Sequence, residues 1–195
     1  MRIGLISDTR IPGIAKEVPP HVTRAFEGVD LILHSGGIQV ARVLDWLEQI
    51  APVKAVGRIQ GGQFESSTPF ALQNADDPRV AERQVLQLEG HTIGMVNSLD
   101  LDPLNDDVIP GIIAAQRFPK RAVSSMVESV FGTPVDIVVF GRTLEAMVEE
   151  HDGILFVNPG SPTIPRNIMK LGQVAILDLT SESREARIID LAALD

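Results

Sequence analysis

Apolar residues in this chain gather in short runs that stop abruptly on glycine, aspartate, asparagine or arginine. Between some of them lie stretches in which apolar positions return every three or four residues. The runs read as strands over 3–7, 30–35, 53–56, 85–88, 92–97, 136–140, 154–157, 174–179 and 186–189. In LILH and IVVF the apolar residues are consecutive, the pattern of a strand covered on both faces. Glu89-Gly90-His91 between two runs reads as the turn of a hairpin. The helical spacing predicts a helix over 39–50 through Val40, Val43, Leu44, Leu47 and Ile50, with Pro52 beyond its end. A second runs over 120–131 through Val123, Met126, Val127 and Val130, stopped by Gly132 and Pro134, and a weaker third covers 19–26. The stretches 57–77 and 100–119 read as long loops, which in a compact domain are often functional. Strands and helices alternate early and strands dominate late, so the fold class is α/β and sheet-based.

Composition narrows the function classes. The length of 195 residues predicts one domain over 1–195. A formal net charge of −9 argues against broad binding to nucleic acid or to an anionic membrane, since both need a basic surface. The chain has no cysteine, which removes disulfides, thiolate metal sites and a cysteine nucleophile. No apolar run approaches the roughly 20 residues of a membrane span, and the first residues lack a signal-peptide core. A soluble, cytoplasmic protein is expected, with homo-oligomerisation left open.

The candidate chemistry sits where strands end. Asp8, Gly37, Arg58, Asn97 and Arg142 each fall within a few residues of a predicted strand's C-terminal end, the edge at which ligand sites of such sheets collect. Other signals are weaker. Asp100, Asp102, Asp106 and Asp107 lack the glycine and late glutamate of a calcium loop and read as a solvated acidic stretch. Gly57, Gly61 and Gly62 are not followed by the Lys-Ser/Thr of a phosphate-binding loop. A serine triad would need a histidine beside Ser7, Ser35 or Ser98, and only His34 is near in sequence; it reads as a hydrogen-bonded core residue. Trp46 is a core-edge residue or a partner contact.

The segments ISDTR at 6–10, HSGGI at 34–38, AVGR at 55–58, VNS at 96–98, FGRTL at 140–144 and FVNPGSPTIPR at 156–166 together resemble the calcineurin-like metallophosphoesterases. The similarity is greatest to the small prokaryotic phosphodiesterase branch, which includes the eukaryotic retromer scaffold subunit. The resemblance implies two stacked mixed sheets flanked by helices, and a cleft with two divalent metals that clamp a phosphate and activate a water. Carried over by position, Asp8 keeps the first aspartate. Arg10 stands for a histidine, Gly37 for the aspartate that bridges the metals, Arg58 for an asparagine, Asn97 for a histidine, and Arg142 and Leu144 for the last two histidines. Arginine has no acceptor and stays protonated, so it cannot ligate a cation.

Fixed guanidinium charge at 10, 58 and 142 would then stand where the relatives hold metal charge. The expectation is a metal-free pocket for a phosphate-like anion lined by Arg10, Arg58, Arg142 and Asn97, with Asp8 and a carboxylate such as Glu145 or Glu65 as counter-charge. Asn158, Gly160 and Ser161 read as a turn supporting the site, and Arg166 as a residue pairing with a neighbouring loop. Three readings stay open: a non-catalytic protein that binds an anion or a protein partner; a hydrolase using Asp8 with a single divalent metal or an arginine-assisted route; and a structural homo-oligomer with a vestigial pocket, its arginines filling the space of the metals or pointing into water.

Overall fold

The computed structural model describes residues 1–57, 77–104, 106–164 and 172–194. One mixed sheet contains β1 (Arg2–Ile6), β2 (Leu31–His34), β3 (Val53–Val56), β4 (Val80–Ala81), β10 (Gln173–Leu179) and β11 (Arg184–Asp190), in the order β11-β10-β1-β2-β3-β4. The second contains β5 (Arg83–Leu88), β6 (His91–Val96), β7 (Ile137–Val139), β8 (Met147–His151) and β9 (Ile154–Asn158), in the order β5-β6-β7-β9-β8. In the first sheet β1, β2 and β3 are parallel, and in the second β6, β7 and β9 are parallel. The two-sheet architecture implied by the family resemblance is therefore the one observed.

The residue pattern explains the layering. Alternate residues of a strand face opposite sides, so Ile3 and Leu5 of β1, with Leu31 and Leu33 of β2, meet Ile93, Met95, Ile137, Val139, Leu155 and Val157 in a core between the sheets. The other face of the first sheet carries Ile6 and Ile32 and is covered by α1 (Pro20–Ala25) and α2 (Arg42–Glu48) through Val22, Val43, Leu44 and Leu47. The outer face of the second sheet is covered by α3 (Ile112–Gln116) and α4 (Ala122–Phe131) through Ile113, Val123, Val127 and Phe131. One glycine on each sheet makes this packing close. A Cβ on Gly4 would lie 3.0 Å from the Phe26 ring, and one on Gly94 would lie 2.7 Å from that of Phe131.

Most predicted elements are present with shifted ends. The hairpin turns on Glu89 and Gly90, both at positive φ, between the paired Leu88 and His91. The expected helix over 39–50 is shorter, because the chain at Val40 forms a β-bridge and only Arg42–Glu48 is helical. Among the strands and α-helices, three go beyond the sequence pattern. β8 is an edge strand whose Glu149-Glu150 pair masks its alternation, α3 lies inside the stretch that reads as a loop over 100–119, and β4 is two residues long. Helix α4 has no cap from its own N-cap residue; Asp152, on the β8–β9 turn, accepts from the backbone N–H groups of Val123 (3.1 Å) and Ser124 (3.4 Å) instead. Among the described residues no helix is long and apolar enough to cross a membrane.

Candidate functional site

Because the strands of each parallel set run the same way, β1, β2, β6 and β7 end at one edge, and the chain leaves them through Ser7-Asp8, Ser35-Gly36-Gly37, Asn97 and Gly141-Arg142. These exits are tied together. The Asp8 backbone N–H donates to the Gly36 carbonyl (2.7 Å) and that of Arg10 to Gly37 (3.0 Å). The Asn97 amide donates to the Ser35 carbonyl (2.9 Å), the Ser35 hydroxyl to the Phe140 carbonyl (3.0 Å), and the Gly141 N–H to the Asn97 carbonyl (3.0 Å). From a fifth strand end, β9, the Asn158 amide donates to the Gly141 carbonyl (3.2 Å) and to Thr143 Oγ1 (2.9 Å).

Asp8 is the centre of this edge and is 2% exposed. Its Oδ2 accepts from the Ser7 hydroxyl (2.7 Å) and from the Arg142 backbone N–H (2.8 Å); its Oδ1 faces Arg10 Nη2 at 3.4 Å. Burial pushes the Asp8 carboxyl above the ordinary carboxylate range, against the opposing pull of Ser7, Arg142 and Arg10. The Asp8 carbonyl accepts from the Ser161 hydroxyl (2.9 Å), and that hydroxyl accepts from the Thr163 and Ile164 N–H groups, so the turn after Asn158 buttresses the site as the sequence suggests.

The backbone here is held in an unusual state. Asp8 (φ 50°), Arg10 (φ 46°), Arg142 (φ 69°) and Leu144 (φ 64°) are all left-handed, as are Gly36 and Gly37. Non-glycine residues in this region are uncommon, and four of them gather at this one edge.

The predicted site residues separate into three groups. Arg10 and Asn97 lie at the edge, each with its side chain directed to a neighbour there. Arg142 contributes its backbone to Asp8, while its guanidinium turns outward, 55% exposed, with Nε 3.4 Å from Asp107 Oδ1. Arg58, Glu65 and Arg166 lie outside the described residues. Asp107 belongs to the stretch that reads as solvated and acidic, and nothing in its spacing signals that it faces Arg142 across 35 positions of chain (142 − 107). Ser7 reads from sequence only as a possible nucleophile; its place next to Asp8 is the available clue to its supporting role.

His34 is fully buried. Its Nδ1 accepts from the Gly36 N–H (3.2 Å), which leaves Nε2 protonated and donating to Thr9 Oγ1 (3.2 Å). In that tautomer it cannot take a proton from a hydroxyl. Burial pulls its pKa down to about 3.

The described residues at this edge do not fit a pair of divalent ions. A Cβ on Gly37 would lie 2.5 Å from Asp8 Cα and 2.6 Å from Asp8 Oδ1, so there is no room for a bridging side chain where the resemblance puts one. Arg10 occupies the open side of the Asp8 carboxylate. Among the described residues no group of three or more His, Cys, Asp or Glu side chains is placed to hold a metal ion.

A two-sheet α/β sandwich with a polar edge of this design defines a phosphoesterase fold. The sequence matches the calcineurin-like phosphoesterase superfamily domain over residues 1–182, and the chain belongs to that family. It is 27% identical over 193 residues to a probable metallophosphoesterase of Methanothermobacter thermautotrophicus, covering 99% of this chain and 94% of the relative. Among solved structures it is similar to Vps29 of Entamoeba histolytica in complex with zinc (TM-score 0.62, 18% identity, 98% and 99% of the two chains). It is also similar to an archaeal phosphodiesterase (TM-score 0.59, 20% identity, 97% and 99%). At these identities the structural matches speak to the fold alone.

Proposed function

We propose that this chain is a phosphoesterase-family protein without the dinuclear metal site, and that its cleft edge binds a phosphate-like oxyanion rather than hydrolysing an ester. The observation that carries the reading is the approach of Gly37 to Asp8, which leaves no space for a side chain at position 37 that could bridge two metals. The donors are Arg10 and Arg142, because guanidinium groups match phosphate oxygens in bidentate geometry, with Asn97 as a neutral donor. A protein partner carrying such a group, on an acidic or phosphorylated segment, is the macromolecular form of the same ligand.

The hydrolase reading keeps support from the company the fold keeps, since one relative is a phosphodiesterase and another holds zinc. Against it stands Asp8 itself. A base or single-metal ligand needs a free oxygen, and in this cleft one oxygen accepts two hydrogen bonds while the other faces a guanidinium.

The test pairs metal analysis of the purified protein with thermal unfolding in inorganic phosphate, ionic strength being held constant with chloride. Substoichiometric metal and a rising Tm are expected. Saturation at a hundred times the Kd stabilises by about 2.7 kcal/mol, which for a chain of this size raises Tm by roughly 5–10 °C. Arg10→Ala and Arg142→Ala each reduce the rise. Two equivalents of tightly held metal, or chelator-sensitive turnover of a phosphodiester, would overturn the proposal.

A further inference from the structure

Among the described residues the two arginines of the cleft edge each face a carboxylate. Arg10 faces Asp8, and Arg142 faces Asp107, so two cations meet two carboxylates. An anion that binds either guanidinium competes with the carboxylate already facing it. Asp8 cannot leave: it is buried, its backbone is tied to Gly36 and Ser161, and its carboxylate accepts from Ser7 and Arg142. Asp107 differs in every respect. It is 55% exposed, and its one described partner is Arg142, at 3.4 Å. Its backbone is nonetheless positioned, since the next residue, Val108, is 2% exposed and packs with Leu101 and Leu104 in the core beneath α3 and α4. An anchored chain thus holds a loosely engaged carboxylate against Arg142, the more exposed of the two described arginines of the edge.

We propose that Asp107 is an exchangeable internal counter-ion for Arg142: it occupies the guanidinium in the empty protein, and a phosphate-class oxyanion binds by displacing it. The proposal rests on the anion-binding function. Asp107 lowers apparent affinity in two ways, by occupying the donor and by repelling the incoming charge. The neighbouring Asp106 is also exposed and contributes only the second, having no ion pair with Arg142 among the described residues, so the two effects separate experimentally.

The experiment measures inorganic phosphate binding by calorimetry at fixed ionic strength for the intact chain and for Asp107→Asn, Asp106→Asn and Arg142→Ala. Both carboxamide variants retain the fold because both positions are exposed; thermal unfolding checks this. Asp107→Asn tightens phosphate binding about two- to five-fold, the release of an exposed ion pair of ordinary strength, while Asp106→Asn tightens it by less than half as much on a logarithmic scale. In Arg142→Ala, adding Asp107→Asn brings no gain beyond that of Asp106→Asn. Equal gains from the two aspartate variants, or a full Asp107→Asn gain in the absence of Arg142, overturn the counter-ion assignment and leave the anion site standing. Failure of phosphate to bind the parent chain and Asp107→Asn alike overturns both.

Discussion

Gly37 is the position at which the site's geometry is most exposed to test. A Cβ there would have to move from 2.5 Å to at least 3.4 Å from Asp8 Cα, a displacement of about 0.9 Å. Asp8 has little freedom to supply it. Its N–H is bound to Gly36 at 2.7 Å, its carbonyl accepts from Ser161 at 2.9 Å, and its carboxylate receives Ser7 and Arg142. Gly37 also sits at φ 72°, where a side chain is disfavoured by about 1–2 kcal/mol. Overpacking adds about 1–3 kcal/mol, so Gly37→Ala should lose roughly 2–5 kcal/mol and lower Tm by about 5–20 °C. Gly37→Asp should lose at least as much, because it sets a second carboxylate against Asp8. Differential scanning calorimetry of both variants, with and without manganese or zinc, reads the outcome. A Tm loss under about 2 °C in Gly37→Ala, or a metal-dependent rescue of Gly37→Asp, would mean that the cleft can admit a bridging ligand after all and would refute its closure by Gly37.

Two further outcomes follow from buried groups and caps. His34 has a folded pKa of about 3, depressed from 6.5, so the unfolded chain binds a proton that the folded one excludes; stability is lost as pH falls below about 6.5, by roughly 2 kcal/mol at pH 5 from this group. Ring NMR signals should show no His34 titration between pH 8 and 4.5, and a midpoint above 5 would contradict its burial as a neutral acceptor. Asp152→Ala should lose about 1–2 kcal/mol by uncapping α4, with Asp152→Asn losing less because asparagine keeps one acceptor and tolerates the left-handed backbone at φ 48°; denaturant unfolding with unchanged m separates this from a change in the unfolded ensemble.

Much of the architecture was legible because the core strands are apolar without interruption. β2 and β7 are buried along their whole length, as the uninterrupted LILH and IVV suggest for strands covered on both faces. The strand-end residues were legible for a related reason: Asp8, Asn97 and Arg142 interrupt such runs, and topology carries those interruptions to one edge. What sequence could not give was direction. Arg142 stands where the resemblance places a ligand, yet its backbone serves Asp8 and its guanidinium leaves for Asp107. That choice is made by a φ of 69° and by a loop more than thirty positions away, neither of which leaves a local trace. β8 was hidden because an edge strand with one wet face carries Glu149 and Glu150 side by side, and α3 because five residues are too few to display a period.

The bonds from Asn97 to Ser35 and from Ser35 to Phe140 cross from one sheet to the other, and Gly141 fits so closely that a Cβ on it would overlap the Ser7 hydroxyl. The polar edge is thus also the suture that fastens the two halves of the sandwich. A saturation-mutagenesis screen scored on abundance would flag Ser7, Ser35, Asn97 and Gly141 as intolerant even if the protein's ligand never touched them. Intolerance at these four positions therefore reports how the molecule is assembled, and the proposed anion role of Arg10, Asn97, Arg142 and Asp107 is read only by a ligand-dependent assay.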